Sequence, residues 1–99
     1  MAGKNKQVIY SRVAHEQILA IMLYIASKGY PDTSLKFCDQ LYNFGSTLGL
    51  YPEKYPVCQR SPLKKRNLRC ATFKDYVFIY FVGDETITIL VVINSSRLK

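Results

Sequence analysis

The residues with chemistry to offer are almost all cationic or phenolic. Arg60, Lys64, Lys65, Arg66 and Arg69 fall within ten residues that contain no acid. Such a cluster attracts polyanions, whether nucleic acid, an acidic protein surface or an acidic inhibitor, although a charge run serves equally well as a solvated loop. Arg97 stands near the C-terminus, and Tyr80 lies inside an apolar run. To cleave RNA, these groups would have to position a 2′-hydroxyl and stabilise the phosphorane with guanidinium and ammonium charge. Arg69, Arg97 and Tyr80 are the candidates for that work. Arg69 enters one strand and Arg97 follows the last, so adjacent strands could bring them together. For Tyr80 the preferred reading is a buried structural tyrosine.

Other chemistries lack their residues. His15 is the single histidine, with no cysteine at ligand spacing, so neither a zinc site nor a His-dependent hydrolase is expected. The five glycines are isolated and form no phosphate loop, and no cofactor is implied. Asp84 and Glu85 are adjacent in a turn, where solvated turn residues are expected. Cys38, Cys58 and Cys70 are odd in number and widely spaced, and are expected to be reduced and mostly buried.

The formal charge of +7 over 99 residues is large, while 48% of the residues are hydrophobic, which argues for one folded domain over residues 1–99. Residues 1–6 read as a flexible charged leader. With no signal peptide and no apolar run long enough to span a bilayer, no membrane association and a cytoplasmic location are expected.

The elements that must position these groups are organised around Tyr76 to Ile93. Two runs rich in β-branched and aromatic residues flank Gly83-Asp84-Glu85, which predicts an antiparallel hairpin. The first run is apolar on both faces and should be a central strand. Strict alternation through the second run places Ile87, Ile89, Val91 and Ile93 in the core, with Thr86, Thr88, Leu90 and Val92 on the other face.

Upstream, Gln7-Val8-Ile9-Tyr10 is a short strand that must join a sheet formed later. Ser11 can cap a helix in which Ile18, Leu19, Met22, Ile25 and Ala26 share a face, ending at Gly29. Asp32 or Thr33 can cap a second helix with the stripe Ser34, Phe37, Cys38, Leu41, Phe44, Gly45 and Leu48. Gly45 within that stripe implies close backbone approach to the first helix. A proline-rich loop from Tyr51 to Pro62, the basic cluster and a strand around Leu68 to Ala71 follow. The expected fold is α+β: an N-terminal strand, an antiparallel helical hairpin, and a three-stranded antiparallel segment completing one antiparallel sheet with both helices on one face.

With that order in place, the chain resembles the RelE/ParE superfamily of bacterial type II toxins from about Val8 to Arg97. The resemblance lies in the helical hairpin, Tyr51-Pro52 with further prolines, Leu68-Arg69, then Tyr76-Val77-Phe78-Ile79-Tyr80, and finally Ile89 through Asn94-Ser95-Ser96-Arg97. It implies one of two activities carried on the same fold. RelE-like members are ribosome-dependent endonucleases that cut messenger RNA, whereas ParE-like members bind DNA gyrase and block replication.

Val77 stands where the nucleases usually carry an arginine. Leu68 and Cys70 stand near their lysines, and Asn94 where a histidine is common, while Arg97 matches. The ParE-like branch is therefore favoured: the toxin of a plasmid-stabilising module that inhibits growth. A RelE-like ribonuclease and a non-toxic RNA-binding domain of the same fold are the alternatives. The resemblance also implies a cognate antitoxin, attracted by the basic stretch that includes Arg66 and seated on Leu90 and Val92. Nothing in the residue pattern sets an oligomeric state.

Overall fold

The computed structural model describes residues 5–98. Strand β1 (Gln7–Tyr10) leads into helices α1 (Arg12–Ser27) and α2 (Pro31–Thr47), followed by β2 (Arg69–Phe73), β3 (Tyr76–Val82), β4 (Thr86–Asn94) and a short 3-10 turn, Ser95–Leu98. The strands form one sheet in the order β1-β4-β3-β2. No helix among the described residues is long and apolar enough to cross a membrane.

The sheet is mixed, not wholly antiparallel as expected. β1 runs parallel to β4, while β2–β3 and β3–β4 are antiparallel. The cause is the helical hairpin: the chain leaves the sheet after Tyr10, and α2 carries it back to the end at which β1 begins, where Lys6 N donates to Gly49 O at 2.9 Å. β2 therefore starts from the same end as β1, and two reversals later β4 runs alongside β1 in the same sense.

Ser11 caps α1 as predicted, its Oγ accepting from Ala14 N at 3.0 Å. α2 begins earlier than expected. Pro31 occupies its first turn, where a missing N–H costs nothing, Asp32 follows beside the positive end of the helix dipole, and Tyr30 makes no side-chain cap. Gly29 ends the first helix segment at φ 90°, a conformation that side chains with a Cβ disfavour.

Both helices lie on one face. Ala14 and Ile18 from α1 and Leu41 from α2 pack with Ala71, Phe78, Tyr80, Ile87, Ile89 and Val92 of the sheet. Leu19, assigned to the buried stripe, is instead 50% exposed, while Ile18 beside it and Ala14, one turn before Ile18, are the residues that point inward. Gly45 does permit close approach, but to β1 and not to α1: a Cβ there would overlap the Tyr10 hydroxyl and press on Ile89 Cδ1.

One irregularity in β4 decides which side chains face the helices. Ile79 pairs with Val91 and Tyr80 with Ile89, so Leu90 is an extra residue, a bulge. Beyond it the alternation is inverted. Val92 turns into the helix-side core at 1% exposure, while Leu90, Val91 and Ile93 join Val77, Ile79, Cys58 and Leu68 on the opposite face. The backbone groups freed by the bulge are claimed by neighbours: Leu90 O accepts from Ser11 Oγ at 2.7 Å, and Val92 N donates to Gln17 Oε1 at 2.7 Å. The leader expected at residues 1–6 lies mostly outside the described residues. Lys6 is tethered, its Nζ donating to Gly83 O at 2.8 Å and Asp84 O at 2.6 Å.

Candidate functional site

The basic cluster is carried on a closed ring. Cys58 and Cys70 are joined by a disulfide across a sequence separation of 12, with their Cα atoms 5.2 Å apart. Reduced thiols were expected at both positions. Only Cys38 is a free thiol. The pairing arises because residues 56–58 run along the outer edge of β2. Val57 bridges Arg69 in antiparallel sense, Cys58 N donates to Leu68 O at 2.7 Å, and Cys70 N to Pro56 O at 3.2 Å. Neither cysteine's local sequence signals this, since the partner segment is an irregular edge with no strand pattern.

Within the ring the backbone folds into tight turns. Lys64 N donates to Arg60 O at 2.9 Å, Arg66 N to Pro62 O at 3.2 Å, Asn67 N to Lys64 O at 3.0 Å and Leu68 N to Leu63 O at 3.2 Å. Asn67 closes the series at φ 58°, a left-handed conformation that asparagine tolerates better than most residues. Leu68 is buried and Leu63 partly so, both against Val77 and Ile79 on the sheet face away from the helices. Arg60, Lys64, Lys65 and Arg66 are left exposed on the outside. Among the described residues the one ion pair is Arg12–Glu16, so these four cations have no acid partner among those residues.

Arg69 belongs to different surroundings. Facing Tyr80 across the β2–β3 ladder, it lies on the opposite side of the sheet from Cys70, and its Nη1 donates to Tyr55 O at 2.6 Å. Tyr80 is fully buried and donates its hydroxyl to Pro52 O at 2.9 Å. Burial pushes its pKa up to about 12; the nearby Arg69 charge opposes the rise and Tyr55 adds to it. At neutral pH this phenol holds its proton and fastens the proline loop to the sheet.

Arg97 lies in the 3-10 turn after β4, on a groove of about 250 Å³ that also takes in Gln17, Tyr24, Tyr76 and Asn94. The structure does not bring Arg69, Tyr80 and Arg97 together. Asn94, just before the turn, pairs with Tyr76, four residues along β3 from Tyr80, which pairs with Arg69. That separation is roughly 13 Å along the strand at about 3.3 Å per residue, before the lateral spacing of the strands is added.

The expected apolar seat at Leu90 and Val92 also divides. The bulge leaves Leu90 half-buried on the ring side and encloses Val92 under the helices, so the two share no surface. The large exposed apolar side chains lie elsewhere, with Leu19, Leu23 and Tyr24 on α1 at 50%, 56% and 62% exposure. Leu19 and Leu23, four residues apart, share one helix face with Tyr24 beside them, and sequence periodicity alone does not reveal which apolar face lacks a partner.

A cationic ring on one sheet face, and a helical hairpin with an uncovered apolar stripe on the other, define a small basic α+β domain with its polar groups displayed outward. The chain belongs to the ParE toxin family. The family model described as the ParE toxin of the type II toxin-antitoxin system parDE matches residues 8–98. Among solved structures, the chromosomal ParDE TA system from P. aeruginosa superposes with a TM-score of 0.77 over 90% of this chain and 95% of that one, at 15% identity. At that identity the likeness is one of fold. Comparison with curated proteins finds no sequence match.

Proposed function

We propose that this chain is the toxin of a type II toxin-antitoxin module, that a cognate antitoxin neutralises it, and that it arrests growth by inhibiting DNA gyrase. Membership of the ParE family over residues 8–98 is the observation that carries the reading. The disposition of the candidate nuclease groups supports it over the ribonuclease alternative. Arg69 is committed to a backbone carbonyl, Tyr80 is buried with a raised pKa, and Arg97 stands at the far end of the strand. General acid-base work requires groups within hydrogen-bond reach of one reacting centre.

The exposed side of α1, where Leu19 and Leu23 share a face and Tyr24 stands beside them, is the proposed seat for the antitoxin. An amphipathic segment laid along it would bury apolar area that the chain alone leaves in water. Expression without antitoxin, followed by thymidine and amino-acid incorporation in one culture, tests the target. Thymidine incorporation should stop first, and purified protein should block gyrase supercoiling. Collapse of translation while DNA synthesis continues would refute the gyrase reading in favour of messenger RNA cleavage.

A further inference from the structure

We infer that the ring closed by Cys58 and Cys70 is a preorganised clamp for the phosphate backbone of double-stranded DNA. Residues 54–74 contain seven cations and no acid, and four of those cations, Arg60, Lys64, Lys65 and Arg66, are exposed on the ring itself. The covalent closure, the four internal backbone hydrogen bonds and the anchoring of Leu63 and Leu68 hold this array in one shape. Ordering the array costs no further backbone entropy on binding, whereas a free loop would lose that freedom on engaging a partner.

The composition of the ring selects the kind of polyanion. Residues 56–72 include no aromatic side chain, so the ring lacks the aromatic platforms on which single-stranded DNA or RNA chiefly stacks its unpaired bases. Its outer surface also lacks the apolar and aromatic anchors that form the centre of a protein interface, because Leu68 is buried and Leu63 is turned into the small core. What remains is Arg and Lys with Gln59, Ser61 and Asn67, a set suited to sequence-independent contact with duplex phosphates. This inference goes beyond the gyrase reading and does not depend on it.

Fluorescence anisotropy with a labelled 20-base-pair duplex tests it, using the intact oxidised chain. If about three phosphates are neutralised, affinity should fall roughly forty-fold between 50 and 200 mM salt. The Lys64→Glu, Lys65→Glu, Arg66→Glu triple variant changes only exposed side chains and should lose that binding with an unchanged circular dichroism spectrum. The Cys58→Ser, Cys70→Ser variant keeps every charge and should bind severalfold more weakly.

An unaltered affinity and salt slope in the triple variant would overturn the proposal. So would tighter binding to a single-stranded RNA of the same length, or competition by poly-glutamate as effective as that by unlabelled duplex. Equal affinity in the cysteine variant would overturn preorganisation by the ring. A protein that binds the duplex but leaves gyrase supercoiling untouched would refute the proposed target while leaving this inference standing.

Discussion

The two faces of the sheet are built by different means. Toward the helices, ten residues from α1, α2 with its C-cap, β2, β3 and β4 are buried together, and Phe44 of α2 meets Phe78 edge-on at 5.0 Å and stacks on Phe73 at 5.0 Å. Toward the ring, four buried residues, Cys58, Leu68, Val77 and Ile79, form a satellite cluster, with a covalent bond supplementing the small apolar area. The helix side is closed chiefly by apolar area removed from water. The ring side holds a loop in place with little area, which frees its outer surface to carry four cations. Stability and recognition are thereby separated onto opposite sides of the same strands.

That separation makes graded predictions. The largest effect belongs to the helix side: Phe78→Ala, at a fully buried position, should cost about 3–5 kcal/mol in denaturant unfolding. A loss below about 1 kcal/mol would mean that the helix side is not the main source of stability. Next, replacing Cys58 and Cys70 with alanine releases a closed loop with a sequence separation of 12, which should cost about 3 kcal/mol by loop-closure entropy. Limited trypsin digestion should then cut first at Lys64, Lys65 or Arg66, ahead of any site on the helices. First cleavage on α1 or α2 would show that the two sides unfold together.

A pH experiment probes the helix side independently. Tyr10 and Tyr80 have their pKa values raised from 10.0 to about 12, in both cases chiefly by burial. Between pH 10 and 12 the unfolded chain releases protons that the native chain retains. The stability these phenols contribute is therefore complete below pH 10 and is lost as pH rises toward 12, by about 2 kcal/mol for each. Tyr80→Phe should fall less steeply than the parent over this range, while being about 1 kcal/mol less stable at pH 7 for want of the bond to Pro52 O. Parallel pH profiles for the two proteins would contradict the assignment. The smallest effect is expected from Lys64→Ala or Lys65→Ala, each within about 0.5 kcal/mol of the parent in unfolding, because exposed side chains on the ring support nothing beneath them.

Much of the architecture was legible in the residues. The hairpin announced itself through two β-branched and aromatic runs around Gly83, and Ser11, Gly29 and the α2 stripe marked their helix positions. These are local signals, set by rotamer preference, alternation and capping, and they survive folding because nothing distant competes with them. The misreadings lie where a distant partner intervened. Leu90 became a bulge, with Ser11 and Gln17 satisfying the displaced backbone, and every side chain after it changed face. Gly45 made room for Tyr10, which the sequence separates from it by 35 positions.

The candidate site shows the same division. Charge density, the lack of acids in residues 54–74 and the lack of aromatics in residues 56–72 are properties of the chain before it folds, and they determine that the segment attracts anions. Whether that segment is a loose loop or a fixed array was decided by tertiary structure alone. The edge of β2 brings Cys58 to Cys70, and strand alternation sends Arg69 to the opposite side of the sheet from the ring cations. Composition acts through long-range electrostatics that need no geometry, whereas a disulfide and the two sides of a strand depend on ångström-scale placement that only long-range pairing can supply.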